Sequence, residues 1–114
     1  MGVERFDGYA EQEAARSGVA RHIMSSERAA LLAASLQALS SPTRLRLLSV
    51  LVHVPDGEAT VSQLTAEVEL KQPTVTRHLN LLHDSGVVQR ERRGRETWYR
   101  VSPNMRDMIE DLVL

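Results

Sequence analysis

Beyond residue 25 the apolar positions fall into a sequence of distinct periods. Leu32, Leu36 and Leu39 recur at helical spacing among alanines, which predicts a helix from about Ser26 to Leu39. Ser25 or Ser26 is placed to cap it, because a serine oxygen accepts from the orphan N–H groups of a first turn. Ser40-Ser41-Pro42 stops that helix, and Pro42 suits the first turn of the next, where its missing N–H costs nothing. The second helix carries Leu45, Leu48 and Val52, with Leu47 and Leu51 beside them, and ends before Pro55-Asp56-Gly57. Thr60 or Ser62 starts a short helix through Leu64 and Val68, and Glu69-Leu70-Lys71 turns the chain into a longer one from Gln72 to about Asp84. In this last helix Val75, Leu79 and Leu82 stand at i, i+4 and i+7, one buried stripe.

Gly86 fits the left-handed position past a helix end. Val87-Val88 then opens an extended segment and Glu96 to Val101 forms another, with Arg93-Gly94-Arg95 at the bend, so the pair reads as a β-hairpin. Ser102 or Asn104 is placed to cap a final short helix bearing Met105, Met108, Ile109, Leu112 and Val113. Residues 1–25, rich in Glu, Ala, Arg and Gly, read as an arm that is partly disordered or loosely helical, and 26–114 as the folded domain. The expected fold is therefore α+β and mainly helical, in the order α-α-α-α-β-β-α with a two-stranded hairpin. This is the order of a winged helix-turn-helix. In that arrangement a short helix braces a second one that fits the major groove, about 12 Å wide, and the hairpin beside it reaches phosphates.

Charge sharpens this reading. The whole chain of 114 residues carries a formal net charge of −1. Between Lys71 and Arg100, however, seven basic residues face three acidic ones, a local +4 that leaves −5 elsewhere. Local field, not total charge, decides where a polyanion docks. With 42% hydrophobic and 25% charged residues the composition is that of an ordinary globular chain. No apolar run approaches the roughly 18 residues of a membrane span, and the first residues lack the layout of a secretory signal, so a cytoplasmic protein is expected. Cysteine is absent, which removes disulfides and thiolate metal sites.

Three motifs carry a family resemblance. Leu39-Ser40-Ser41-Pro42-Thr43-Arg44-Leu45-Arg46-Leu47-Leu48 is similar to the "LadptRlrILrlL" signature of the ArsR/SmtB regulators. Gln72-Pro73-Thr74-Val75-Thr76-Arg77-His78-Leu79-Asn80-Leu81-Leu82 resembles the recognition helix of that family, "qsavSqHLkvL". Gly86-Val87-Val88, Arg92-Arg93-Gly94-Arg95 and Trp98-Tyr99-Arg100-Val101 resemble its "GLV…rreGrwvyYrl" wing. The similarity runs from Leu31 to Val113 and implies a dimeric operator-binding regulator, most often a repressor, released from DNA by an effector.

On the recognition helix Gln72 suits adenine, Thr74 and Thr76 a thymine methyl or a phosphate, and Arg77 a guanine fork. Asn80, one turn on, is placed for a phosphate or for nothing. Arg90, Arg92, Arg93 and Arg95 offer phosphate forks or minor-groove insertion from the wing. Strand alternation allows only some of them to act together, and Arg93 and Arg95, flanking Gly94 at the tip, are favoured. Trp98 and Tyr99 are expected to pack the wing against the body.

The chain departs from the metal-sensing members of the resembled family. Val61 and Ser62 stand where a cysteine pair would lie, and Pro103 and Met105 where an aspartate and a first histidine would. The segment from Asn104 to Leu114 holds no histidine, only the carboxylates of Asp107, Glu110 and Asp111. No metal and no cofactor is therefore expected. An unusual His22/His53 site remains as an alternative reading, and a winged-helix module that binds protein is another. No phosphate-cradling glycine loop, nucleophile elbow or His-Glu-x-x-His pair is present, so no enzyme is expected. Leu31, Leu32, Leu36, Met108, Ile109 and Leu112 exceed what a small domain covers, which predicts a homodimer through the first and last helices.

Overall fold

The computed structural model describes residues 19–114, so most of the arm expected at 1–25 lies outside the described residues. By its internal contacts the chain divides into units of residues 1–30 and 31–114. Of the first unit, the structure describes a 3-10 turn at Val19–His22 and the start of a helix, α1 (Ser26–Leu39). Of the two candidate caps, Ser25 serves: its Oγ accepts from the Arg28 N–H at 3.1 Å.

In the second unit α1 runs on to Leu39, and α2 (Pro42–His53) follows after two residues. Ser41 caps α2 by accepting from the Arg44 N–H, and Pro42 fills the first turn, as its fixed φ favours. Of the apolar residues of α2, Leu47, Leu48 and Leu51 are fully buried, whereas Leu45 stays at the surface. A 3-10 turn at Pro55–Gly57 leads into β1 (Glu58–Thr60) and α3 (Val61–Val68). Thr60 closes a reciprocal cap: its Oγ1 accepts from the Gln63 N–H while Gln63 Oε1 accepts from the Thr60 N–H. Then come α4 (Gln72–Asp84), β2 (Val88–Arg93), β3 (Glu96–Val101), a 3-10 turn at Pro103–Met105 and α5 (Arg106–Val113).

The core gathers Leu47, Leu48 and Leu51 of α2, Leu64 and Val68 of α3, Val75, Leu79 and Leu82 of α4, and Ile109 of α5. Val88, Tyr99 and Val101 close it from the sheet. Each fully buried leucine contributes about 1.5–3 kcal/mol relative to exposure. Gly86 after α4 has φ +78, a left-handed backbone that a side chain would strain.

Three differences from the sequence reading have physical reasons. The expected two-stranded hairpin is extended by β1, which pairs with β3 antiparallel, Ala59 opposite Tyr99, to give a sheet ordered β1-β3-β2. A three-residue strand is too short to show alternation, and its last residue already serves as the α3 cap. Neither Ser102 nor Asn104 caps the last helix through its side chain. Instead the Ser102 backbone is used twice, its N–H donating to Val87 O and its carbonyl accepting from the Met105 N–H, both at 2.9 Å. Finally, Ile109 is fully buried and does not belong to the surplus apolar surface. Leu31 and Leu112, exposed to 72% and 57%, do.

Candidate nucleic-acid interface

The buried stripe of α4 turns the opposite side of that helix to solvent. Gln72, Pro73, Thr76, Arg77 and Asn80 line one shallow concavity there. At about 100° per residue Thr74 falls on the flank beside Leu81, exposed but apart from that group. No side chain caps α4 at Lys71, so its first N–H groups open at the Gln72 end.

Arg44, on α2, ties α4 to the end of α1. Its Nε donates to the Ala38 carbonyl at the end of α1, where a helix leaves acceptors unfilled, and its Nη1 lies 3.3 Å from His78 Nδ1. A guanidinium has no acceptor, so Nδ1 accepts and the imidazole proton sits on Nε2. Burial, and then the charges of Arg44 and Arg77, push the His78 pKa below the ordinary 6.5. His78 is thus a neutral support for the helix. In the same way Arg46 Nη1 donates to the Val68 carbonyl at the end of α3.

The sheet sorts the wing arginines. Residues directly opposite in an antiparallel pair share a face. Val88, Arg90 and Arg92 lie opposite Val101, Tyr99 and Thr97, on the face whose base is buried against the helices. Arg90 reaches α4 from this face, its Nη1 donating to Asn80 Oδ1 at 3.0 Å. Arg92 continues the same face towards the turn, where its Nε donates to the Gly94 carbonyl. Gly94, at φ +61, makes the turn, and Arg95 is exposed beside it.

Gln89, Glu91 and Arg93 lie on the other face, opposite Arg100, Trp98 and Glu96. Arg93 is held there. Its Nη1 and Nη2 donate to the two Glu58 oxygens at 2.7 and 2.9 Å, it meets Glu91 at 3.1 and 3.2 Å, and its guanidinium sits 5.1 Å from the Trp98 ring centre. Hydrogen bonding to Arg93 holds both carboxyls below the usual glutamate range, and the two carboxylates push the Arg93 pKa upward. Arg93 and Arg95, paired at the tip in the sequence reading, thus stand in different surroundings, the first between carboxylates and the second exposed. Glu58 stands 35 residues earlier in the chain, and no sequence signal links it to the wing. Tyr99 is buried on the inner face, whereas Trp98 lies half-buried on the outer face under Arg93.

Comparison with known proteins matches this architecture. The family described as "Bacterial regulatory protein, arsR family" matches residues 41–90, from the α2 cap to Arg90. Among solved structures the transcriptional repressor BigR from Xylella fastidiosa superposes with a TM-score of 0.64 and 32% identity, over 75% of this chain and 86% of that one. The chain belongs to the ArsR family. It is also 32% identical, over 75 residues, to the arsenic resistance transcriptional regulator ArsR1 of Pseudomonas putida, covering 66% of this chain and 57% of that protein. The homodimeric winged helix-turn-helix domain Mb0332 from Mycobacterium bovis shares the fold at a TM-score of 0.68 and 24% identity, over 78% of this chain and 83% of that one. The chain spans 57% to 64% of the length of the arsenic-resistance and biofilm-growth regulators it matches. Among the described residues no three His, Cys, Asp or Glu side chains cluster as a metal would require. His53, part of the alternative His22/His53 site, lies within hydrogen-bond distance of the Ser49 carbonyl through its Nδ1, at 2.7 Å. No helix among the described residues is long and apolar enough to cross a membrane.

Proposed function

We propose that this ArsR-family chain is a DNA-binding transcriptional repressor, acting in the cytoplasm as a homodimer on a two-fold symmetric operator. One observation carries the reading: the exposed side of α4 and the arginine-bearing inner face of the wing converge, joined through Asn80 and Arg90. Gln72, Thr76, Arg77 and Asn80 enter the major groove, with Thr74 on the flanking backbone. Arg90, Arg92 and Arg95 meet phosphates or the adjoining minor groove. Arg93 stiffens the wing from behind by binding Glu58 and Glu91. Residues 26–114 make up the DNA-binding and dimerisation domain, preceded by the arm at 1–25.

Dimerisation is supported by the exposure of Leu31 and Leu36 on α1 and Leu112 on α5, and by the homodimeric state of the Mycobacterium bovis relative in fold. A two-fold axis sets the paired recognition helices about 34 Å apart, one turn of B-DNA. An effector that biases the dimer towards another spacing then releases the operator. The test is selection of duplexes from a randomised pool, followed by affinity measurements on the selected and scrambled sites with sedimentation in parallel. A palindromic site bound by two chains supports the reading. Absence of any enriched sequence, or tight binding by a monomer, overturns it.

A further inference from the structure

The bridge between Asn80 and Arg90 does more than join helix to wing. Asn80 stands in the third turn of α4 on the face it shares with Gln72, Thr76 and Arg77. An amide ordinarily offers a base both an acceptor and a donor, and the two together match the N6 and N7 of adenine. Here the Asn80 oxygen already accepts from the Arg90 guanidinium, which holds it towards the wing. Arg90 Nη1 lies 3.0 Å from the amide, and a guanidinium carries only donors, so the atom it meets is Oδ1 and the NH2 group is turned away.

We propose that Arg90 is a positioning residue that holds the Asn80 oxygen towards the wing and presents its NH2 group to the major groove, selecting guanine over adenine at one operator position. Guanine presents two neighbouring acceptors, O6 and N7, to the two N–H bonds of the amide. Adenine presents its N6 amino group at the place of O6, so the fixed NH2 meets a donor with a donor. Rotating the amide to suit adenine turns Nδ2 onto the guanidinium and breaks the bridge. The arginine also retains N–H donors beyond the one spent on Asn80, so the same side chain has donors to offer a phosphate alongside.

The inference rests on the proposal that this helix reads DNA, and the experiment separates the two. The full chain and its Asn80→Ala, Arg90→Met and Arg90→Lys variants each select from a randomised duplex pool, and all four bases are then compared at every selected position. The wild type is expected to favour guanine over adenine by about tenfold at one position. Asn80→Ala levels that preference. Arg90→Met, which keeps the apolar stem and removes the donors, shifts it towards adenine at that position alone. Arg90→Lys, still a pure donor, keeps guanine; a merely structural role for Arg90 predicts uniform loss of affinity with no change of base. A wild-type preference for adenine at the position that Asn80→Ala levels overturns the inference, as does an Asn80→Ala variant that changes no base preference. The same holds if Arg90→Met leaves the preference unaltered. If the wild type enriches no sequence at all, the DNA-reading proposal fails and this inference falls with it.

Discussion

The recognition helix and the distal wing lie side by side yet are held by different forces. Along α4, Val75, Leu79 and Leu82 are fully buried, so apolar area removed from water sets the orientation of the helix. In the wing only the base is buried, at Val88, Tyr99 and Val101. Beyond it, the outer face is tied by Arg93 to Glu58 and Glu91, and the inner face by Arg90 to Asn80. Burial is nearly indifferent to salt and pH, whereas exposed ion pairs are screened by the one and titrated by the other. The orientation of the helix is thus set by burial, while that of the distal wing depends on ionic conditions.

The largest expected effect tests the buried helix. Leu79→Ala leaves a cavity in the fully buried stripe and should lower unfolding free energy by about 2–5 kcal/mol, similarly at low and high salt, in a denaturant titration. A loss that depended strongly on salt would break the contrast. Next comes reading itself. Arg77→Ala should cost about 1–3 kcal/mol of discrimination between the selected operator and scrambled DNA, with stability unchanged. An unaltered ratio would move the reader elsewhere.

A smaller effect sharpens the split within the wing. Arg95→Ala should weaken both kinds of duplex and reduce the slope of log affinity against log salt by about one. Arg93→Ala should leave that slope nearly unchanged, since its guanidinium already binds Glu58 and Glu91. Equal slopes for the two variants would put Arg93 on the DNA.

The smallest effect is on stability against pH. Glu58 and Glu91 are held below the ordinary 4.5 in the folded chain, so the unfolded chain takes up protons first as the pH falls. Their contribution is therefore complete above 4.5 and disappears as the pH drops through the lowered folded values. Glu58→Gln should melt slightly below the wild type at pH 7, and the gap should close on acidification below 4.5. A gap that stayed constant with pH would show that Glu58 acts by packing and not by charge.

What the sequence determined by itself is local. The spans of α1 to α4, the Pro42 and Gly86 boundaries and the Val75, Leu79, Leu82 stripe all depend on residues within one or two turns of each other. Periodicity and capping encode such features directly. The polar face of α4 followed, because a buried stripe fixes its opposite. The tertiary structure decided what depends on distant partners. It brought Glu58–Thr60 alongside β3 and so placed a carboxylate under Arg93, 35 residues on. It gave four arginines that look alike in sequence two different environments, because strand register, unlike helical phase, is set by pairing and packing. It turned Asn80 towards Arg90, since only the folded wing carries that arginine back to the helix. Short-range spacing is written in the order of the side chains, while a contact across the fold exists only once loop closure has brought its two ends together.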